Sequence, residues 1–165
     1  MKSPVPHADG ASIALTVALA GSLAAVGAAL VSQYAFDMQP CAWCVLQRLI
    51  FLIIAGVSAL AIWLRQPMAR AALGGSNILL AASGIASALH QHFVAADITS
   101  CRLSLAEKII GSTLHLDTLL PFVFGIRVGC SAGATTMLGV PYEFWSLTAF
   151  GLLVLASILA MRPRR

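Results

Sequence analysis

The stretch PCAWCVLQRLIFLIIAGVSALAIWL, residues 40–64, decides the fold. From Val45 to Leu64 its only charge is Arg48. That is the length, about 20 residues, and the composition of a helix crossing a lipid bilayer. The stretch also opens with Pro40-Cys41-Ala-Trp-Cys44, which sets two thiols at the end of a membrane span rather than inside a soluble domain.

Three further apolar stretches lie on either side, at about residues 11–36, 71–96 and 144–161. The first is much longer than the apolar core of a cleaved signal peptide, about 7–15 residues, and reads as a retained span. The chain has 165 residues, 59% hydrophobic and 10% charged, with a mean hydropathy of +0.91. A soluble domain carries about a quarter charged residues, so lipid must cover part of this one. The fold class is therefore an all-α membrane protein, a four-transmembrane-helix bundle forming a single membrane domain over residues 1–165. Its loops on one side are residues 37–44 and 97–143, the second of them long. Gly21, Ser22, Gly27, Gly56, Ser58, Gly74, Gly75, Gly84 and Ser87 supply the small side chains that let membrane helices approach closely.

Orientation follows from the basic residues. Lys2, Arg65, Arg70, Arg162, Arg164 and Arg165 fall on one side of the spans, the cytoplasmic one by the positive-inside rule. Both termini are then cytoplasmic, and Cys41, Cys44, Cys101 and Cys130 face an oxidising outer compartment where disulfides persist. The net charge of +4 is accounted for by this topology. No Lys/Arg run with interleaved aromatics suggests nucleic acid.

In the long loop, Leu103–Ile110 has the apolar spacing of a short amphipathic helix, and Leu119–Phe124 forms a second apolar patch. Each suits either the bilayer surface or the rim of the bundle. Tyr34, Trp43, Tyr142 and Trp145 read as interface anchors. His90 and His92 sit near the outer end of the third span, at the depth of Cys44, where one of them could hydrogen-bond a ligand. Two residues apart, they point in different directions, and no metal is expected.

Four cysteines set among membrane spans point to electron transfer. A thiol serves redox chemistry when its thiolate is stabilised. Cys44 falls at the start of a span, where unpaired backbone N–H groups favour negative charge, and Arg48 follows one turn later on the same helix face. An Arg within a span costs about 2.5–3.5 kcal/mol on insertion scales and so implies a function. Haem attachment would need His at position 45, which is Val45. A four-sulfur zinc site would need a short second knuckle, whereas Cys101 and Cys130 are far apart. Helix-length runs flank the motif where a thioredoxin-like domain would show βαβ patterning. Structural disulfides remain the main alternative, and four cysteines allow three pairings.

Pro40-Cys-Ala-Trp-Cys-Val-Leu-Gln-Arg48 resembles the signature of the DsbB family of disulfide-bond-forming membrane proteins. The resemblance extends to Cys101 and Cys130 in the second outer loop, to Leu138-Gly139, and to Trp145-Ser-Leu147 at the entry to the last span. It implies a bacterial inner-membrane, quinone-dependent protein-disulfide oxidoreductase with two redox-active disulfides, Cys41–Cys44 and Cys101–Cys130. A periplasmic DsbA-like thioredoxin-fold oxidase would attack Cys101–Cys130, forming its mixed disulfide with Cys101. Electrons would pass to Cys41–Cys44 by exchange at Cys41 and leave from a Cys44 thiolate in a charge-transfer or covalent adduct with membrane quinone. Arg48 would polarise a quinone carbonyl, and His90 would be a further quinone-binding residue. Ubiquinone is expected over menaquinone. A DsbA-type partner has a known potential of about −120 mV, so the final acceptor must be more oxidising still, as a quinone is.

Two departures from the family pattern stand out. Trp43 takes a position usually held by a smaller aliphatic residue, and Pro141 lies farther from Trp145 than usual. The rival readings are a vitamin K epoxide reductase-like enzyme and a non-enzymatic membrane protein with structural disulfides. In the former the loop pair precedes Cys-x-x-Cys, the reverse of the order here.

Overall fold

The structure, a computed structural model, describes residues 10–64, 66–94, 104–129, 136–137 and 139–161. Four long helices dominate it: α1 (Gly10–Ala35), α2 (Ala42–Leu64), α3 (Pro67–Phe93) and α7 (Tyr142–Met161). Each is long and apolar enough to cross a membrane. In hydrocarbon no water is available to backbone N–H and C=O groups, so helices that satisfy their own are the natural outcome. They pack as a ring in the order α1–α2–α3–α7, each against its two neighbours, in the expected four-helix bundle.

The helix ends differ from the sequence expectation in ways that matter for the site. α2 begins at Ala42 rather than near Val45, which takes Cys44 into its first turn. α3 begins at Pro67, with Gln66 extended before it at φ −75°. A proline at the first helical position gives up only an N–H that would be unpaired there anyway. α1 ends where Asp37 adopts a left-handed conformation (φ 53°), and the Met38 N–H returns to the Ser32 carbonyl at 3.1 Å. That turn carries the chain directly into Pro40 and the cysteine motif.

Long side chains meet glycine at the helix crossings. Phe51 of α2 and Phe150 of α7 stack across the bundle centre, with centroids 4.0 Å apart and planes 1° apart. The Phe150 ring lies against Gly84 of α3, where a Cβ would come within 2.4 Å of the ring. Only glycine fits there. Between lipid-immersed helices, close packing and buried hydrogen bonds replace the hydrophobic drive. Asn77 of α3 accordingly donates to the Ser58 hydroxyl of α2 at 2.9 Å. At the end away from the motif, Leu15, Ala61 and Ala160 form a small second core.

The described part of the long loop folds over the motif end of the bundle. Ser104 caps α4 (Leu105–Glu107), its hydroxyl accepting the Glu107 N–H at 3.2 Å, and a π-helical turn at Lys108–Thr113 continues it. Ala106 and Ile110 are fully buried in the cluster that contains Cys41, so this segment packs on the bundle. Two four-residue helices follow, α5 (Leu116–Leu119) and α6 (Pro121–Phe124). Phe124 is buried while Phe122 and Leu119 are exposed. Thr136–Met137 (β1) and Val140–Pro141 (β2) then pair antiparallel around Gly139, whose φ of +79° favours glycine. This small hairpin was not anticipated.

Candidate functional site

Cys41 occupies the cap position of α2, its carbonyl accepting the Val45 N–H at 3.1 Å. The neighbouring Pro40 carbonyl accepts the Arg127 N–H at 3.1 Å, which pins the segment leaving α6 to the motif. Cys41 is fully buried and Cys44 partly so, with their sulfurs 3.4 Å apart. A hydrogen bond to Cys44 and burial both push the Cys41 thiol up, so Cys41 is the partner that keeps its proton.

Cys44 has a second polar neighbour that sequence reasoning missed. Gln91 of α3 donates its amide to the Cys44 sulfur at 3.3 Å, and Gln47 of α2 donates to the Gln91 carbonyl oxygen at 2.9 Å. Both glutamines are buried. Gln33, Gln47 and Gln91 did carry a signal, because carboxamides are uncommon inside apolar spans and need partners there.

Arg48 is 4% exposed and lies one turn beyond Cys44. Its hydrogen bonds run elsewhere than to the sulfur. Nη1 donates to Gln33 Oε1 at 2.7 Å and to the Val123 carbonyl at 2.9 Å, and Nη2 donates to the Ala29 carbonyl at 3.2 Å. One guanidinium thus joins α1, α2 and α6. Its buried Nε has no hydrogen-bond partner among the described residues.

Cys44 and Arg48 share a cavity of about 260 Å³. Ala25, Ala28 and Ala29 of α1 make one wall, and Tyr142 and Trp145 of α7 make another. Phe51 and Gln47 line it from α2, and Met137 of β1 closes over it. The Trp145 indole N–H reaches the Met137 carbonyl at 3.4 Å, tying hairpin to helix. Tyr142 holds the Ser32 hydroxyl of α1 at 3.1 Å.

These residues fit a quinone. Small side chains leave an apolar wall for a ring, Arg48 on the lining brings a cation that suits a carbonyl oxygen, and a thiol stands beside both. A mostly apolar pocket with a few convergent polar groups is the usual form of a small-molecule site.

Other expected residues fall outside this cavity. His90 is exposed and lies tilted against Trp43 (centroids 4.5 Å, planes 31° apart), and it is not among the residues lining the cavity. Its place beside Cys44 is taken by its neighbour Gln91. Trp43 is 8% exposed and packs inside the molecule, instead of anchoring an interface. His92 pairs with Glu143 of α7, Nδ1 to Oε1 at 2.7 Å. Tyr34 stacks on Phe122 at 4.6 Å and donates to its carbonyl at 2.8 Å. Cys101, Cys130 and Leu138 lie outside the described residues.

Comparison with known proteins agrees with the geometry. The family model "Disulfide bond formation protein DsbB" matches residues 11–160. Disulfide bond formation protein B of Cupriavidus metallidurans is 36% identical over 141 residues, covering 85% of this chain and 84% of the relative. Disulfide bond formation protein B 1 of Pseudomonas syringae pv. syringae is 33% identical over 145 residues, covering 87% and 85%. No solved structure matches. With a family match over nearly all of its length and a thiol–guanidinium cavity at one end of four spans, the chain belongs to the DsbB family, quinone-dependent disulfide oxidoreductases of the inner membrane that reoxidise DsbA.

Proposed function

We propose that this chain carries out that reaction through Cys101–Cys130 and Cys41–Cys44 in turn, with Cys44 and Arg48 at the electron exit. All four cysteines face the periplasm and both termini the cytoplasm. A reduced DsbA-like partner loses two electrons and two protons as its own disulfide forms, and Cys101–Cys130 is reduced. The loop thiols then reduce Cys41–Cys44 by the same two-electron exchange, with Cys41 the sulfur attacked.

Reduced Cys44 stands at the cavity wall with its sulfur toward Gln91, and Cys41 holds the second proton 3.4 Å away. Arg48 presents a charged donor on the same wall, where negative charge develops on an oxygen as electrons leave sulfur. When bound, a quinone supplies the two-electron acceptor. Ala25, Ala28 and Phe51 exclude water from that contact. The proposed acceptor is ubiquinone rather than menaquinone.

The observation that carries this reading is the presence of Cys44 and Arg48 on one cavity, with Cys41 in contact behind. Purified protein with a reduced DsbA-type partner should reduce ubiquinone, and Cys44→Ser should abolish the reaction. Full activity in Cys44→Ser would overturn the electron-exit role. A menaquinone analogue reduced as fast as ubiquinone would overturn the preference alone.

A further inference from the structure

Cys44 has three candidate stabilisers for an anionic sulfur: the Cys41 thiol 3.4 Å away, Arg48 and Gln91, and hydrogen bonds separate the last two. Arg48 spends its bonded N–H groups on Gln33, Ala29 and Val123. The side-chain amide aimed at the sulfur from another helix belongs to Gln91. A carboxamide can turn either end toward a neighbour, and an oxygen facing a thiolate would repel it. Here Gln47 settles the choice, because its N–H engages the Gln91 oxygen at 2.9 Å and leaves the Gln91 N–H for sulfur. The order Gln47 → Gln91 → Cys44 is a directed chain within the bundle, where a hydrogen bond to a charged acceptor strengthens.

We infer that Gln91, oriented by Gln47, is the positioning residue that holds Cys44 as a thiolate. This rests on the reading of Cys44 as the electron exit and adds to it a donor from α3. It also assigns Arg48 chiefly to the cavity and to the loop. Cys41, Arg48 and Tyr142 are the other titratable or charged groups acting on the Cys44 sulfur. All three are kept, or replaced by a like group, in the experiment.

The test needs no quinone. In the full chain in membranes, with Cys41, Cys101 and Cys130 changed to Ser, the rate of Cys44 alkylation is followed against pH. Ser at position 41 preserves a hydroxyl beside the sulfur. Gln91→Met keeps length and flexibility but removes the donor, and should lower the rate near neutral pH about tenfold, moving the profile about one unit toward higher pH. Gln47→Met, which frees the Gln91 amide to turn, should move the profile the same way by less. A folded Gln91→Met protein with the parent profile overturns the inference. Should Gln91→Met fail to fold, Gln47→Met decides: a shifted profile supports the chain, and an unshifted one overturns it. Loss of quinone reduction in Cys44→Ser alongside unshifted glutamine variants would leave the electron-exit role standing and refute only the role of Gln91.

Discussion

Arg48 donates to the carbonyl of Val123 at 2.9 Å, so a cation on the second helix fastens a helix of the long loop. The same guanidinium lines the cavity beside Cys44. Loop position and ligand site therefore share one side chain, and whatever displaces α6 must also disturb the donor facing the cavity. An Arg suits this because its planar fork serves several acceptors at once, which an ammonium cannot do.

Arg48→Lys should therefore fail twice. It keeps the charge but loses at least one of the bonds to Gln33, Ala29 and Val123, each worth about 1.5–3 kcal/mol when the donor is charged. The KM for quinone should rise by about tenfold or more, and amides at 122–129 should exchange faster with deuterated solvent. An unchanged KM with unchanged exchange would show that the fork is dispensable.

The two thiols of the motif should react unequally. Cys41 is fully buried under the loop and its thiol is pushed up by the bond to Cys44, so it stays protonated throughout the physiological range. Its folded value lies above the ordinary one, so any stability that depends on the protonated form is present at neutral pH and declines progressively once pH rises past the ordinary thiol value. Brief alkylation of reduced protein at pH 8, read by mass spectrometry, should label Cys44 well before Cys41. Equal labelling would contradict the burial order.

Gly84 should tolerate no side chain. Gly84→Val drives a branched Cβ into the Phe150 ring, and overpacking of this kind costs about 1–3 kcal/mol. The apparent unfolding temperature in detergent should fall. Pairing the change with Phe150→Leu should recover part of the loss, which a purely backbone effect of the substitution would not allow.

His92 and Glu143 join α3 to α7 near the motif end without lining the cavity. Glu143→Leu should cost about 1 kcal/mol of stability, as for one lost hydrogen bond whose partner can still reach water. The KM for quinone should stay as it was. A raised KM would bring this pair into the site.

Much of this arrangement was legible in the sequence, for reasons that differ from residue to residue. The four spans follow from apolar length, which lipid enforces regardless of packing. Cys44 beside Arg48 follows from a helix repeat alone. Gln91 could not be placed that way, because which face α3 turns toward α2 is decided by contacts such as Phe150 on Gly84, and these come from a third helix. His90 draws attention in the sequence for its chemistry, yet one residue along a helix rotates a side chain by about 100°, and Gln91 has the direction that reaches sulfur. The hairpin at 136–141 depends on one positive-φ glycine and a pair of two-residue strands, too short for any period to reveal. Leu103–Ile110 fitted the rim and the bilayer surface equally well until Ala106 and Ile110 were seen buried against the motif.

The alanine wall on α1 has a kinetic consequence. Ala28 lines the cavity and is exposed on a helix that spans the bilayer, which gives that wall an opening at membrane depth. A long-tailed substrate can slide its head in from the side while its tail stays among the acyl chains. Turnover then responds to moles of quinone per mole of lipid, and diluting the membrane with inert phospholipid slows it even when the bulk concentration is held constant.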